Sequence, residues 1–138
     1  MTAPNPEQIK TVMSLEANKD LVRRFLAEVF GTGNVEAVGN FMVPNSFLYG
    51  FMRKFVAERA IGIPDAQIQI QEIFGEGDKV AVSASSSGTN SGPILGHPPT
   101  HKEVAINSLW IFTVRDGRVI SMQFASDMAQ QLWVPAPT

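Results

Sequence analysis

The chain has 138 residues, enough to close one hydrophobic core but seldom two, so we expect a single domain over residues 1–138 with a single site. Its 13 acidic and 11 basic side chains leave a small negative charge, which argues against a nucleic-acid partner. It has no cysteine for disulfides or thiolate metal sites, and no secretion signal or long apolar run, which predicts a cytoplasmic protein without membrane contact.

The first part of the chain predicts helices. Residues 1–15 carry two prolines and little periodicity, so we expect a loose leader that becomes helical from about Glu7. Apolar residues then recur at helical spacing as far as Phe30, and Gly31 and Gly33 end this first amphipathic helix. A short second helix is expected over residues 35–41. A third follows the turn at residues 44–45 and ends near residues 62–64.

Beyond residue 64 the apolar pattern changes from helical to strand spacing. Ile68 and Ile70 alternate with glutamines, which is typical of a strand with one exposed face. Glycine turns and a long glycine-rich and proline-rich loop over residues 88–103 separate the later strands, expected over residues 79–87, 103–114 and 118–127. Helices followed by an antiparallel meander predict an α+β domain with the helices on one face of the sheet.

Four segments in this order carry a family pattern. They are NKDLVRRFLAEVFGTGNVEAV in the helices, GDKVAVSASSSGTNSGPILGHPPT in the hairpin, DGRVISMQ at the last turn, and the terminal QQLW. Together they resemble the SnoaL-like polyketide cyclases of the nuclear-transport-factor-2-like superfamily, which also contains ketosteroid isomerases. The resemblance implies a cone-shaped α+β barrel whose curved antiparallel or mixed sheet and N-terminal helices enclose an apolar pocket. It also implies a homodimer and a polyketide-like small-molecule substrate, but the fold does not select the chemistry.

The positions that provide acids and bases in such relatives hold other residues here. When the chain is aligned on the turn at residues 116–118, the oxyanion-hole acid of the isomerases falls on Trp110 and the acid of the polyketide cyclases on Phe124. When it is aligned on residues 33–36, the isomerases' tyrosine falls on Leu26 and their general base on Gly50. The resemblance therefore implies an apolar, aromatic pocket with a few hydroxyls, which suits a multi-ring ligand.

Strand alternation extends this expectation along the last two strands. Ser108, Trp110 and Phe112 share one face of their strand, as positions 122, 124 and 126 do on the next. If the alignment holds, these are the faces that line the pocket. The expected substrate-binding residues are Leu26, Gly50, Phe51, Phe55, Val82, Ala84, Leu95, Ser108, Trp110, Met122, Phe124 and Ser126.

Two residues are candidates for catalysis, each with a structural alternative. Asp127 would act as an acid or base at the pocket rim, although strand alternation turns it outward unless a bulge intervenes. Otherwise it caps the turn that follows. Tyr49 would donate a hydrogen bond to a substrate carbonyl, or else it is a core aromatic with its hydroxyl at the surface.

The sheet half of the chain offers further polar groups. His97 and His101 titrate near neutral pH, but their spacing in a proline-rich loop is not that of a helical metal pair, so exposed histidines are the alternative. The serines at positions 83, 85 and 87 have no histidine–carboxylate relay and predict a polar outer or dimer-facing row. We expect the loop over residues 88–103 to close over ligand as a flap hinged at Gly88 and near Lys102.

These features predict a cyclase of natural-product biosynthesis that closes a ring on a flexible apolar substrate by holding its reactive conformation and excluding water. Cycloaddition suits such a pocket, whereas an aldol closure would recruit Asp127, Tyr49 or a loop histidine as base. No metal and no cofactor are expected, because the sequence has neither a metal constellation nor a phosphate-binding glycine loop. The alternatives are a non-catalytic protein that binds a hydrophobic small molecule or a partner, and an acid–base isomerase or dehydratase.

Overall fold

The computed structural model describes residues 3–134, without the side chains of residues 11–13. Helix α1 spans Pro6–Arg24. Asn5 caps it, because its side chain accepts a hydrogen bond from the Gln8 backbone while the Gln8 side chain accepts one from the Asn5 N–H. The helix thus starts one residue before the expected position, Glu7, because this capping box and the proline at the first helical position begin it at Pro6. Only the loose character given to the residues up to about 15 is corrected. Residues 1 and 2 of the expected leader lie outside the described residues.

Helix α1 runs directly into a π-helical segment, Phe25–Phe30, in which each backbone hydrogen bond spans one residue more than in an α-helix. The N–H of Gly31 donates to the carbonyl of Leu26, five residues back, at 2.7 Å. The four large apolar side chains of the segment are buried: Phe25, Leu26, Val29 and Phe30. As expected, the helix ends at residues 31–33, and a 3₁₀ turn, Val35–Asn40, replaces the expected second helix.

Helix α2 spans Phe47–Gly62 and is capped by the Ser46 hydroxyl, which accepts the N–H of Tyr49 at 3.2 Å. Four strands follow and form one antiparallel sheet in sequential order. They are β1 (Gln67–Glu76), β2 (Lys79–Thr89), β3 (Glu103–Arg115) and β4 (Arg118–Ser126). Among the described residues the sheet contains no parallel strand pair. Only an isolated bridge between Met42 and Val119 is parallel. The protein is thus an α+β domain with a curved antiparallel sheet.

The inner face of the sheet packs against α1, the π-helical segment and α2 to form the core. In β3 the residues from Val104 to Phe112 alternate strictly between buried and exposed. Phe25 lies at the centre of this core and makes edge contacts with Phe112 at 5.9 Å and with Phe41 at 5.7 Å between ring centroids. No helix among the described residues is long and apolar enough to cross a membrane.

A second, smaller cluster closes the other end of the inner face. It is made of Ile63, Ile94, Val104, Ile106 and Leu132, the last from the short helix α3 (Met128–Leu132). The loop over residues 90–102 contributes Ile94 to it. The candidate site lies where this cluster meets the main core.

Candidate functional site

A cavity lies between α2, the inner face of the sheet and the loop over residues 90–102. It encloses about 30 Å³, the space of one or two water molecules. The exposed lining residues Leu95, Phe124 and Ser126 mark its mouth. In this conformation a multi-ring ligand enters only if side chains at the mouth move. The lining residues are Phe30, Phe55, Glu58, Arg59, Ile63, Ser86, Ile94, Leu95, Ile106, Ser108, Trp110, Phe124, Ser126 and Met128.

Four rings form one side of the cavity, which we call the aromatic wall: Phe30, Phe55, Trp110 and Phe124. Trp110 lies at its centre, 5.4 Å from Phe30 and 4.4 Å from Phe124 between ring centroids. Phe55 contacts both Phe30 and Phe124 at 5.6 Å. These contacts fix the three inner rings, Phe30, Phe55 and Trp110, relative to one another as a rigid apolar surface, whereas Phe124 at the mouth is 37% exposed.

Trp110 belongs to the core as well as to the wall, because only 1% of its surface is exposed. Its indole Nε1–H donates to the Ser108 hydroxyl at 2.9 Å, and that hydroxyl lies 3.4 Å from the Ala84 carbonyl, to which it donates. The polar atoms of this pair are therefore used inside the protein, and the indole orientation is fixed before any ligand arrives.

Two charged residues line this otherwise apolar cavity, and the sequence analysis missed both. Arg59 is buried, and it donates from Nη1 to the Ile63 carbonyl at 2.9 Å and from Nη2 to the carbonyls of Phe30 and Gly31. Its guanidinium also lies 5.7 Å from the centre of the Phe30 ring. Burial lowers the pKa of Arg59 from its usual value.

Glu58 is partly buried at the loop side of the cavity. Its Oε2 accepts the backbone N–H of Leu95 at 2.9 Å, which fixes the tip of the loop to α2. Both charged residues follow Phe55 by one helical turn, so they share its side of the helix. One feature of the sequence could have identified Arg59: it continues the helical spacing of the apolar residues Met52 and Val56, which predicts a position on the buried side of the helix.

Six of the twelve expected binding residues line the cavity: Phe55, Leu95, Ser108, Trp110, Phe124 and Ser126. Three others, Leu26, Val82 and Ala84, are buried in the main core, where α1 and its π-helical extension cover the sheet. Gly50 and Phe51 are exposed on α2, although the Phe51 ring stacks on Phe55. Placing these five at the cavity was wrong, because the helices fill most of the inner face.

Met122 lies on the same side of β4 as Phe124, since the two pair with Phe112 and Trp110 of β3. Met122 does not line the cavity, however. It packs against the main core and borders a separate surface groove with Phe47 and Leu48. Strand alternation correctly predicted the face of β4 on which Met122 lies. It did not predict that the cavity ends before Met122.

Asp127 does not line the cavity. The register between β3 and β4 is continuous from Ser108 to Thr113, so no bulge turns Asp127 inward. Its carboxylate accepts the backbone N–H of Asn107 at 2.7 Å and the side-chain amide at 3.0 Å. It occupies the N-cap position of α3, as its structural alternative predicts, but the bond to the helix comes from its backbone carbonyl, which accepts the N–H of Gln131 at 3.0 Å, and not from its side chain. Partial desolvation raises the pKa of Asp127, but the hydrogen bonds from Asn107 outweigh it and the net pKa is lowered.

Tyr49 also lies away from the cavity. Its hydroxyl accepts a hydrogen bond from Arg53 Nη1 at 2.9 Å, and Arg53 forms an ion pair with Glu36 at 3.2 Å. Its ring packs against the main core. Tyr49 therefore corresponds to the structural alternative, a core aromatic whose hydroxyl lies at the surface.

The loop over residues 90–102 is tied to the rest of the domain. The buried Asn90 side chain donates to the carbonyls of Gly62 and Gly92 and accepts the N–H of Thr100. A Cβ atom on Gly92 would lie 2.1 Å from the Ile61 carbonyl oxygen, so the loop backbone is pressed against the end of α2. The expected hinge at Gly88 is wrong, since Gly88 belongs to β2 and pairs with Val104.

The remaining polar candidates are not part of the cavity. Both histidines are exposed, and His97 stacks on Trp133 at 4.2 Å between centroids. The serines at positions 83, 85 and 87 point away from the buried face of β2, whereas Ser86 reaches the cavity. Among residues 3–134 no three histidine, aspartate or glutamate side chains are grouped as metal ligands would be.

Similarity to known proteins identifies the family of this chain. The profile of the SnoaL-like polyketide cyclase family matches residues 20–132. The chain belongs to the SnoaL-like polyketide cyclase family. A comparison with curated proteins finds no significant match.

Solved structures share the fold of this SnoaL-like chain. One, from Jannaschia sp. CCS1 and proposed to be a SnoaL-like polyketide cyclase, is 24% identical, with a TM-score of 0.75 and 94% of each chain covered. TsrD from Streptomyces laurentii is 22% identical, with a TM-score of 0.75 over 87% of this chain and 97% of its own. IdmH from Streptomyces antibioticus, a proposed polyketide cyclase, is 24% identical, with a TM-score of 0.65 over 83% of this chain and 94% of its own. At these identities the likeness concerns the fold alone.

Proposed function

We propose that this SnoaL-like protein is a cyclase of polyketide or related natural-product biosynthesis. It closes a ring on a flexible apolar substrate by holding that substrate in its reactive conformation. The observation that supports this proposal is the aromatic wall, whose inner rings Phe30, Phe55 and Trp110 are fixed by one another and by the hydrogen bond from Trp110 to Ser108. A rigid apolar surface limits the conformations of a flexible substrate. Holding the two reacting groups close together in this way lowers the free-energy barrier to ring closure substantially.

The groups on the cavity favour conformational control over proton removal. Asp127 and Tyr49 are both engaged elsewhere, and the Glu58 carboxylate is the only one that lines the cavity among the described residues. Glu58 already accepts the Leu95 N–H at 2.9 Å. Cycloaddition needs no base, whereas an aldol closure does. The wall also excludes water from the reacting groups.

Substrate entry requires the cavity to expand beyond the about 30 Å³ that it encloses here. Phe124 and Leu95, at the mouth, are 37% and 42% exposed and have room to rotate outward. Asn90 holds the base of the loop and Glu58 holds the backbone of Leu95, so opening is confined to the side chains of Leu95 and Phe124. A small movement of two side chains replaces the hinged flap expected from sequence.

The test is a comparison of metabolites with and without the protein. Deleting the gene in its source organism should cause an open-chain compound to accumulate, and adding the purified protein should convert that compound into a cyclic isomer of the same mass. Cycloaddition and aldol addition both conserve mass, and only an aldol product that dehydrates loses one water, so the NMR spectrum of the product, which shows a new hydroxyl-bearing carbon only after aldol addition, separates the two reactions. Unchanged metabolites after deletion would refute the proposal.

Trp110→Ala tests whether the wall directs the closure. We expect the cyclisation rate to fall by about tenfold or more, or the product ratio to change, because the central ring of the wall is lost. Leu109→Ala is the matched control, since it shortens the neighbouring outward-facing side chain of the same strand. Circular dichroism checks that both variants fold, because truncating a buried aromatic costs about 3 to 5 kcal/mol. A folded Trp110→Ala variant that forms the wild-type product at the wild-type rate would exclude a role for the wall.

A second candidate function is favoured by the same polar contacts. Because the polar groups on the cavity are mostly paired within the protein, the site also suits a carrier that binds an apolar molecule without changing it. A carrier would retain the open-chain compound stoichiometrically and release it unaltered. Single-turnover incubation followed by extraction distinguishes retention from conversion.

A further inference from the structure

Arg59 is unusual among the residues of the cavity because its positive charge is buried without a negative partner. Only 6% of its surface is exposed, and among residues 3–134 it forms no ion pair with a carboxylate. Its hydrogen-bond acceptors are the neutral backbone carbonyls of Phe30, Gly31 and Ile63. A buried cation compensated only by dipoles and one ring face is electrostatically incomplete.

The guanidinium also retains an unused buried donor. Of its five N–H groups, those on Nη2 serve the carbonyls of Phe30 and Gly31, and one on Nη1 serves Ile63. The buried Nε–H has no acceptor within the part of the chain that the structure describes. A buried donor without an acceptor is costly, and in a residue that lines a cavity it suggests a ligand atom as the acceptor.

We infer that Arg59 binds an anionic oxygen of the substrate through its Nε–H. The cavity therefore selects an apolar molecule that carries an enolate oxygen, such as an ionised β-dicarbonyl compound. This inference rests on the proposed function and specifies the class of substrate for the same site. It also gives the cyclase a residue that fixes one end of the substrate while the aromatic wall holds the remainder.

A single oxygen fits this arrangement better than a carboxylate does. A carboxylate binds the side of a guanidinium through Nε–H and the adjacent Nη–H together. Here Nη2 is already shared between two backbone carbonyls, so only Nε–H remains free on that side. The oxygen of an enolate needs one such donor, and the positive charge of Arg59 favours the ionised form over the neutral ketone.

Glu58 is the other charged residue on the cavity, and its carboxylate opposes an anion. Its Oε2 faces the Leu95 N–H on the loop side, while Arg59 faces the carbonyls at the end of the π-helical segment. Glu58→Gln removes this charge and keeps an acceptor for Leu95, so it serves as the matched control variant.

The test uses three small molecules that share one ring system: 1,3-indandione at a pH where it is ionised, the neutral ketone 1-indanone, and indane-2-carboxylate. Proton–nitrogen NMR observes the Arg59 Nε–H and the Trp110 indole N–H in the same spectrum. The Arg59 signal is assigned by its contacts with the Phe30 ring and by its loss in Arg59→Lys. The indole signal reports whether a probe occupies the cavity at all.

We expect 1,3-indandione to shift both signals, and 1-indanone, whose neutral carbonyl is a weaker acceptor, to shift the indole signal but the Arg59 signal much less. Arg59→Lys should weaken 1,3-indandione binding by about tenfold and leave 1-indanone binding within about twofold. Glu58→Gln should preserve the shift at Arg59. If Arg59→Lys fails to fold, the wild-type spectra decide the question alone.

Three results would overturn the inference. If every probe shifts the indole signal and none shifts the Arg59 signal, the cavity binds ligands but Arg59 does not recognise an anion. If indane-2-carboxylate shifts the Arg59 signal more strongly than 1,3-indandione does, the preference for a single oxygen is wrong. If no probe shifts either signal, the cavity is not a ligand site and the proposed function fails together with the inference.

Discussion

The two faces of strand β3 both carry large apolar residues, but in opposite environments. On the inner face of β3, Trp110 and Phe112 are fully buried. On the outer face of the same strand, Leu109 and Ile111 are 63% and 43% exposed. A strand with one solvated face usually places polar residues on that face. Hydrophobicity alone therefore did not decide which face of β3 became part of the core. The helices cover only one of its two apolar faces.

Truncating one residue on each face gives the largest expected difference. Phe112→Ala should lower the free energy of unfolding by about 3 to 5 kcal/mol, because it leaves a cavity beside Phe25. Leu109→Ala removes an exposed side chain and should cost less than about 1 kcal/mol. Urea unfolding at submicromolar concentration measures both. Equal losses would show that the outer face is as tightly packed as the inner one.

The outer face leads to a proposal about assembly. We propose that a second copy of the chain covers it in a homodimer packed sheet to sheet, because Phe74, Leu109 and Ile111 would otherwise leave an apolar surface exposed. Light scattering should then give twice the chain mass of 15.0 kDa at micromolar concentration. Ile111→Lys should restore the single-chain mass, since it places a charge in the apolar contact.

The control for this variant is Ala27→Lys, which adds the same charge at an exposed position on the helical side of the domain. It should leave the mass unchanged. A wild-type protein that scatters as one chain at these concentrations would refute the sheet-to-sheet dimer.

The smallest expected effect concerns the polar pair of the outer face, Asp127 and Asn107. Because the pKa of Asp127 is lowered in the folded protein, ionised Asp127 stabilises the fold above its unfolded pKa, about 3.9. This contribution is lost as the pH falls through the lower, folded pKa. Asp127→Asn should cost less than about 1 kcal/mol at neutral pH, since the group is largely exposed to solvent. The difference from wild type should vanish in acid.

Asp116→Asn is the matched control for this measurement. Asp116 lies at the exposed turn between β3 and β4, so Asp116→Asn removes the same charge without disturbing the contact between Asp127 and Asn107. Unfolding curves at a series of pH values provide the comparison. A constant deficit in Asp127→Asn down to strongly acidic pH would contradict the ionisation argument.

Most of the fold could be predicted from the sequence because it depends on local patterns. The period-two pattern and glycine turns gave the strands, to within two residues at the bounds of β2, β3 and β4. The start of α1 was predicted to within one residue, at about Glu7, but its firmness was underestimated because it depends on a capping box, Asn5 with Gln8, in a segment that composition marks as irregular.

The site was harder to predict because it depends on how far the helices extend along the strands of the sheet. Alternation correctly placed Ser108, Trp110 and Phe124 on one face, but it could not tell how far the helices cover that face. Leu26 and Val82 therefore belong to the core. The charged residues Glu58 and Arg59 were not predicted, because the resemblance to the family points only to the positions where relatives carry acids and bases.

The π-helical segment Phe25–Phe30 has a consequence for how this chain tolerates insertions and deletions. Its hydrogen bonds join residues five apart, as a single residue inserted into an α-helix would produce. Deleting one residue would restore ordinary α-helical geometry and rotate α1 by about 100° relative to the following turn. The carbonyl of Phe30 would then no longer meet Arg59. The number of residues in this segment is therefore coupled to Arg59, and homologues one residue shorter there are expected to lack the arginine.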